Sequence, residues 1–147
     1  MGTPKILMAL KYTLVVSFLV ISAYALYPFI NGVGCDFRAR VEDDAGSFYT
    51  TCKLGFVTTI AKGKASNEII KYHGFYGKAG DTILFFAYDI SWLENGVVQE
   101  KSLVSKMHNS RLYVSNVIVE DGYDWVIVGY PYSRIHKSKR IGVLGFW

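Results

Sequence analysis

From Tyr12 to Gly34 the chain carries no charged residue, whereas beyond Cys35 apolar and polar residues alternate in short runs separated by turn signals. The first pattern predicts one apolar helix and the second a series of strands. Phe37, Ala39 and Val41 alternate with Asp36, Arg38 and Arg40. Glu42-Asp43-Asp44-Ala45-Gly46 then reads as a turn, and Phe48 to Ile60 as the returning strand. Lys62 to Asn67 reads as a loop, Glu68 to Tyr76 as a strand ending at Gly77, and Lys78-Ala79-Gly80-Asp81 as a turn. Thr82 to Leu93 gives the strongest strand pattern. Period-two alternation puts Thr82, Leu84, Phe86, Tyr88, Ile90 and Trp92 on one face, with Ile83, Phe85 and Ala87 opening the other. Apolar residues on both faces suit a barrel wall or an interface.

Asn95-Gly96 predicts a tight hairpin, with Val97 to Lys106 returning as an outer strand of mixed polarity. Leu112 to Val119 is rich in β-branched residues, Asp121-Gly122 marks a turn, and Tyr123 to Tyr130 returns until Pro131. Ile141 to Trp147 would close the sheet. No helical period occurs after Gly34. About seven short strands joined by hairpin turns predict an all-β antiparallel meander. It would form a small lipocalin-like barrel, closed or half open, behind one N-terminal transmembrane helix.

The apolar segment has two readings. As a signal peptide it has Lys5 and Lys11 ahead of an apolar core, Leu14 to Ile21, and Ala23-Tyr24-Ala25 as a cleavage site. As an anchor it offers 23 uncharged residues from Tyr12 to Gly34, where roughly 20 suffice to cross the hydrocarbon. Tyr27, Pro28, Phe29 and Ile30 continue the apolar run past the cleavage site, which favours the anchor. The two lysines predict a short cytoplasmic N-terminus over residues 1–11, an anchor over 12–34 and an exported domain over 35–147. In a bacterium that is a single-pass inner-membrane protein with a periplasmic domain.

At 147 residues there is room for one such domain. Once Lys5 and Lys11 are set aside, 14 basic residues face 12 acidic ones. That balance is too even to point to nucleic acid. The two cysteines, Cys35 and Cys52, lie on the exported side, where disulfides persist. With the turn centred between Asp43 and Asp44 they fall opposite each other, within reach of a structural disulfide.

Candidate chemistry is sparse. His73, His108 and His136 lie in separate segments, without a metal-ligand spacing. No nucleophile motif is present, and Asp89, Glu100 and Asp124 read as solvated strand positions, so neither catalytic residues, metal nor cofactor is expected. Two features remain. Arg134, Lys137, Lys139 and Arg140, with His136, read as a solvated loop or as a basic patch facing anionic head groups or an acidic partner. Phe75, Tyr76, Phe85, Phe86, Tyr88 and Trp92 cluster on adjacent strands, as barrel core, as the wall of an apolar ligand pocket or as an interface. The histidines offer a route to pH response.

The layout resembles the small periplasmic companion subunits of membrane-anchored winged-helix regulators, the ToxS, VtrC, FidL and PsaF/MyfF type. The matching features are Lys11 to Ile30 as anchor, a cysteine just beyond it at Cys35, and about 110 exported β-rich residues without a catalytic set. Unlike FidL-like chains it has no C-terminal cysteine. The resemblance implies a lipocalin-like barrel completed with the partner's periplasmic domain, in a heterodimer that stabilises the regulator and passes on a small amphipathic ligand or pH signal. The expectation is therefore a membrane-held binding partner, not an enzyme. A secreted carrier of a small apolar ligand, cleaved after Ala25, and an exported immunity or inhibitor protein are the alternatives.

Overall fold

The computed structural model describes residues 3–44, 46–64, 67–94, 107 and 109–141. A 30-residue helix, α1 (Thr3–Gly32), leads into eight strands. These are β1 (Asp36–Glu42), β2 (Gly46–Lys53), β3 (Phe56–Gly63), β4 (Ile69–Ala79), β5 (Thr82–Glu94), β6 (Leu112–Glu120), β7 (Tyr123–Tyr130) and β8 (Arg134–Arg140). Each strand pairs antiparallel with the next, and β8 pairs with β1, so the sheet closes into an up-and-down barrel. Closure lies within this chain, and no strand from a partner is needed to complete it. The closing ladder is narrow, Ala39–Arg140 to Val41–Ser138, extended by Ile141 N–H donating to the Arg38 carbonyl at 2.8 Å.

Apolar residues occupy every side of α1, the pattern of a helix made for lipid, not for one packed face. Met8–Gly32 is long and apolar enough to cross a membrane, a test that a signal sequence also passes. The cysteines form the expected disulfide, with Cα atoms 5.7 Å apart, which suits an oxidising compartment. Their register differs from expectation by two residues. Cys52 lies opposite Phe37, not Cys35, so the bond runs diagonally across one face of the hairpin.

Three further expectations change. Phe48 to Ile60 is two strands, not one, because Leu54 and Gly55 both adopt positive φ, at 52° and 82°, and reverse the chain. The stretch Arg134 to Arg140 is no loop but β8, and it closes the barrel in the place expected of Ile141 to Trp147. The face of β5 switches midway. Gly74 pairs with Ala87 and His73 with Asp89, so Tyr88 is an extra residue in a bulge; Leu93 is extra between the Ile70–Trp92 and Ile69–Glu94 pairs. Thr82, Leu84, Phe86 and Tyr88 therefore point out, whereas Ile90 and Trp92 pack inward against the core. The expected Asn95-Gly96 hairpin, Val97 to Lys106, Glu100, His108 and all of Ile141 to Trp147 but its first residue lie outside the described residues.

The inner wall alternates as a barrel requires. One buried cluster, Phe48, Ala61, Ile70, Tyr72, Ala87, Met107 and Tyr113, lies toward the end of the barrel away from the helix. A second, Cys35, Phe37, Ala39, Cys52, Val57 and Tyr76, lies toward the helix.

Candidate functional site

Between the two clusters is an interior cavity of about 180 Å³. Phe37, Val57, Phe85, Val117, Val126 and Val128 give it an apolar wall. Polar groups interrupt this wall, and several of them meet one another or the backbone. Thr50 and Thr59 share a hydrogen bond at 3.0 Å. The Tyr113 hydroxyl lies 2.6 Å from the Met107 carbonyl and 2.9 Å from that of Ser110. The Tyr132 hydroxyl donates to Met107 Sδ at 3.6 Å. His136 Nδ1 lies 3.0 Å from Asp43 Oδ2, with Arg134 at 3.9 Å from the same oxygen.

Two tyrosines on one strand stand apart. Tyr72 and Tyr76, 1% and 3% exposed, both line the cavity, and their buried hydroxyls have no hydrogen-bond partner among the described residues. They stand at positions i and i+4 of β4, facing inward on either side of Gly74. A side chain at Gly74 would run into the Phe85 ring and the Phe86 carbonyl. The missing Cβ is what lets Phe85 lie across the strand there. Burial drives the Tyr72 phenol far upward, with Tyr113, Tyr132 and Glu68 adding to the rise, and pushes Tyr76 to about 12. Both are neutral O–H donors at physiological pH.

The same strand carries the end of α1. A Cβ on Gly32 would meet the Tyr76 carbonyl, so the last turn of α1 lies directly on the β4 backbone. Asn31 Nδ2 donates to the Lys78 carbonyl at 2.9 Å, and Pro28 and Phe29 border Gly77. Cys35 N–H donates to the Gly32 carbonyl at 3.1 Å, Leu54 N–H to the Cys35 carbonyl at 3.0 Å, and Tyr76 N–H to the Gly55 carbonyl at 2.8 Å. Only Val33 and Gly34 separate helix from disulfide. The barrel is mounted on the helix without a flexible linker.

The aromatic group predicted from sequence divides in two. Tyr76 and Phe85 line the cavity, and Trp92 packs on the core beside it. Phe75, Phe86 and Tyr88 are exposed on the outer wall. There the register aligns Phe56 with Phe75, Phe75 with Phe86, and Phe86 with Leu112, forming an apolar row across four strands. Ring contacts link Phe56 to Phe75 at 5.6 Å and Phe75 to Tyr88 at 5.2 Å.

The basic stretch does not form one patch, because strand alternation separates its members. Lys137 and Lys139 point out, and Lys137 Nζ sits 3.8 Å above the Tyr123 ring, a cation–π contact. Arg134 turns to Asp43, and Arg140 pairs with Asp124 at 2.8 Å. Asp124, expected on a solvated face, is fully buried. Burial raises its pKa despite Arg140. His136 is also buried, which lowers its pKa although Asp43 pulls the other way. His73 faces outward, 3.0 Å from the Thr58 hydroxyl. No group of three His, Cys, Asp or Glu that could hold a metal ion occurs among the described residues. Tyr72 and the Gly32 seat had not been singled out from sequence, and Asp124 had been read only as a solvated strand position. The one signal available was the spacing Tyr72-x-Gly74-x-Tyr76.

These features define a class: a small up-and-down β-barrel with an apolar internal cavity, mounted on a single helix long and apolar enough to span a membrane. Compared with known proteins, the chain matches no family model, no curated protein and no solved structure.

Proposed function

We propose that this chain is a membrane-anchored receptor subunit, which binds a small molecule in its exported barrel and binds and stabilises a membrane-bound transcription regulator beside it. The observation that carries the proposal is the double role of β4. One strand supplies two cavity tyrosines and the seat for the helix. A ligand that contacts the cavity differently in two barrel states shifts the population of the paired complex. Because the barrel closes on itself, the regulator would dock against its wall and not complete it. The outer row of Phe56, Phe75, Phe86 and Leu112 is the fitting surface. It begins next to the point where α1 meets Gly77, so a second single-pass protein packed along α1 would continue onto it.

Affinity purification of the full-length chain from detergent-solubilised native membranes, with intact-mass analysis, tests this. The reading requires an uncleaved mass, a co-purifying membrane-anchored DNA-binding protein, and loss of that protein with F75S/F86S. The closed barrel equally favours a second reading, a secreted carrier. A mass beginning at Leu26 with no protein partner would establish the carrier and end the receptor reading.

A further inference from the structure

We infer that the barrel rests on the bilayer surface through the β2–β3 turn, with Leu54, Val33 and Phe56 set in the lipid interface beside the end of α1. This rests on one part of the receptor reading, that α1 stays in the membrane. Position carries the first step. Met8–Gly32 has 25 residues, about 37 Å of helix at 1.5 Å per residue, against about 30 Å of hydrocarbon. Lys5 and Lys11 hold the other end of the helix at the headgroups, Lys11 by snorkelling. The surplus of about one turn therefore falls at the C-terminal end, and α1 finishes in the interfacial layer, which is roughly 5–8 Å deep. Cys35 N–H donates to the Gly32 carbonyl at 3.1 Å and Leu54 N–H to the Cys35 carbonyl at 3.0 Å. A Cβ on Gly55 would lie 3.3 Å from Val33 Cα. The turn is thus fixed beside the point where the helix leaves the lipid.

Side-chain chemistry carries the second step. Leu54, Val33 and Phe56 are 65%, 51% and 56% exposed, so the core holds none of them. The turn does not call for leucine either. Leu54 and Gly55 form a two-residue connection with φ of 52° and 82°, a geometry that favours asparagine followed by glycine. Leucine at positive φ strains the backbone, and at this exposure it gains little from packing in return. A lipid interface supplies the missing gain, since an apolar side chain there leaves water.

The rigid mount selects lipid over a protein partner. Only Val33 and Gly34 lie between α1 and Cys35, and Gly32 presses on the Tyr76 carbonyl, so the turn cannot lift from the surface to admit another chain. Asp36 and Lys53, opposite each other in the register and both exposed, put one charge of each sign beside the turn. The contact therefore suits a zwitterionic headgroup layer and requires no anionic lipid.

The test uses full-length protein at one chain per phosphatidylcholine nanodisc, with ¹³C-methyl leucine and valine. Lipid bearing a nitroxide at the fifth acyl carbon reports contact with the bilayer, and a water-soluble gadolinium chelate reports contact with solvent. Leu93 and Leu112, 53% and 40% exposed at the far end of the barrel, are the controls, and Leu14 and Leu19 report whether α1 is in lipid. The nitroxide should cut the Leu54 and Val33 signals severalfold and leave Leu93 and Leu112 unchanged; the chelate should do the reverse. If the chelate attenuates Leu54 and the nitroxide spares it, the turn lies in water and the inference is overturned. Attenuation of Leu14 and Leu19 by the nitroxide in that same sample would leave the receptor reading standing. Protection of Leu54 from both agents would mean that protein covers it, and would overturn the inference as well. Leu14 and Leu19 untouched by the nitroxide would overturn both.

Discussion

Removing the Cys35–Cys52 bond with C35A/C52A probes how the barrel is held where it meets α1. The bond closes a loop of sequence separation 17. Closure of a loop this size restricts the unfolded chain by about 3 kcal/mol at 25 °C. The folded state adds a second loss. Both sulfurs are buried against Phe37, Val57 and Tyr76, and deleting an atom the size of a methylene from such a site costs about 1 kcal/mol. The double variant should lose about 3–5 kcal/mol in total. For a domain of this size each kcal/mol moves Tm by about 4 °C or more, so the melt should fall by at least about 12 °C. Trp92 and Trp125 provide the fluorescence signal for thermal unfolding of the full-length protein in nanodiscs. A fall of less than about 3 °C, under 1 kcal/mol on the same scale, would refute the reasoning. It would mean that residual structure in the unfolded chain already restricts this loop without the covalent bond.

Acidification should reveal His136 and Asp124 acting in opposite directions. Burial holds His136 below its ordinary 6.5, so below that pH the unfolded chain binds the extra proton and stability falls until the folded value is reached. Burial raises Asp124 above its ordinary 3.8, so over the window just above that value acidification favours the folded state. Tm measured from pH 7 to pH 5.5 should fall in wild type and stay level or rise in H136Q; parallel curves would remove His136 as the cause. G32V places a β-branched side chain against the Tyr76 backbone, which cannot rotate away, at a cost of about 1–3 kcal/mol. Limited proteolysis of the full-length variant should cut between residues 32 and 35 faster than in wild type, and unchanged cutting would mean that the helix end is not seated there.

What the sequence made legible follows from which residues announce themselves. Tyr123 to Tyr130 reads as β7 because its β-branched and aromatic residues lie between Asp121-Gly122 and Pro131. The turn at Leu54-Gly55 stays hidden because a leucine at φ 52° is rare, and composition gives no warning of it. Strand β8 has four basic residues in seven and reads as solvated. It is a strand because only His136 and Ser138 must face the interior, while Arg134 and Arg140 sit at its two ends and reach carboxylates. The β5 bulge at Tyr88 is set by pairing with β4, which no single-strand pattern reveals, and it divides one predicted face between the core and the outer wall. The cavity itself depends on residues from all eight strands meeting across the barrel. Tyr72 therefore gains meaning only beside Tyr113, Tyr132 and Glu68, which the chain places far away in sequence or outside β4.

On the receptor reading proposed above, the arrangement on β4 would make a ligand in the cavity and the helix α1 hard to separate energetically. Tyr76 presents its ring to the cavity, its carbonyl to Gly32 and its N–H to Gly55. Any movement of the ring that shifts its backbone also moves the surface on which α1 rests, because the contact at Gly32 leaves no room for slack. Side-chain rotation alone could in principle uncouple them, but the Phe37 ring, 5.5 Å away and edge-on, limits that freedom. Coupling of this kind is reciprocal. On that reading, a partner that changes how α1 sits on β4 would alter ligand affinity by the same factor by which ligand alters partner affinity. The Tyr76 ring and the Gly32 seat are thus two ends of one residue-long connection, and if the receptor reading holds, a variant at either end should change both binding events together.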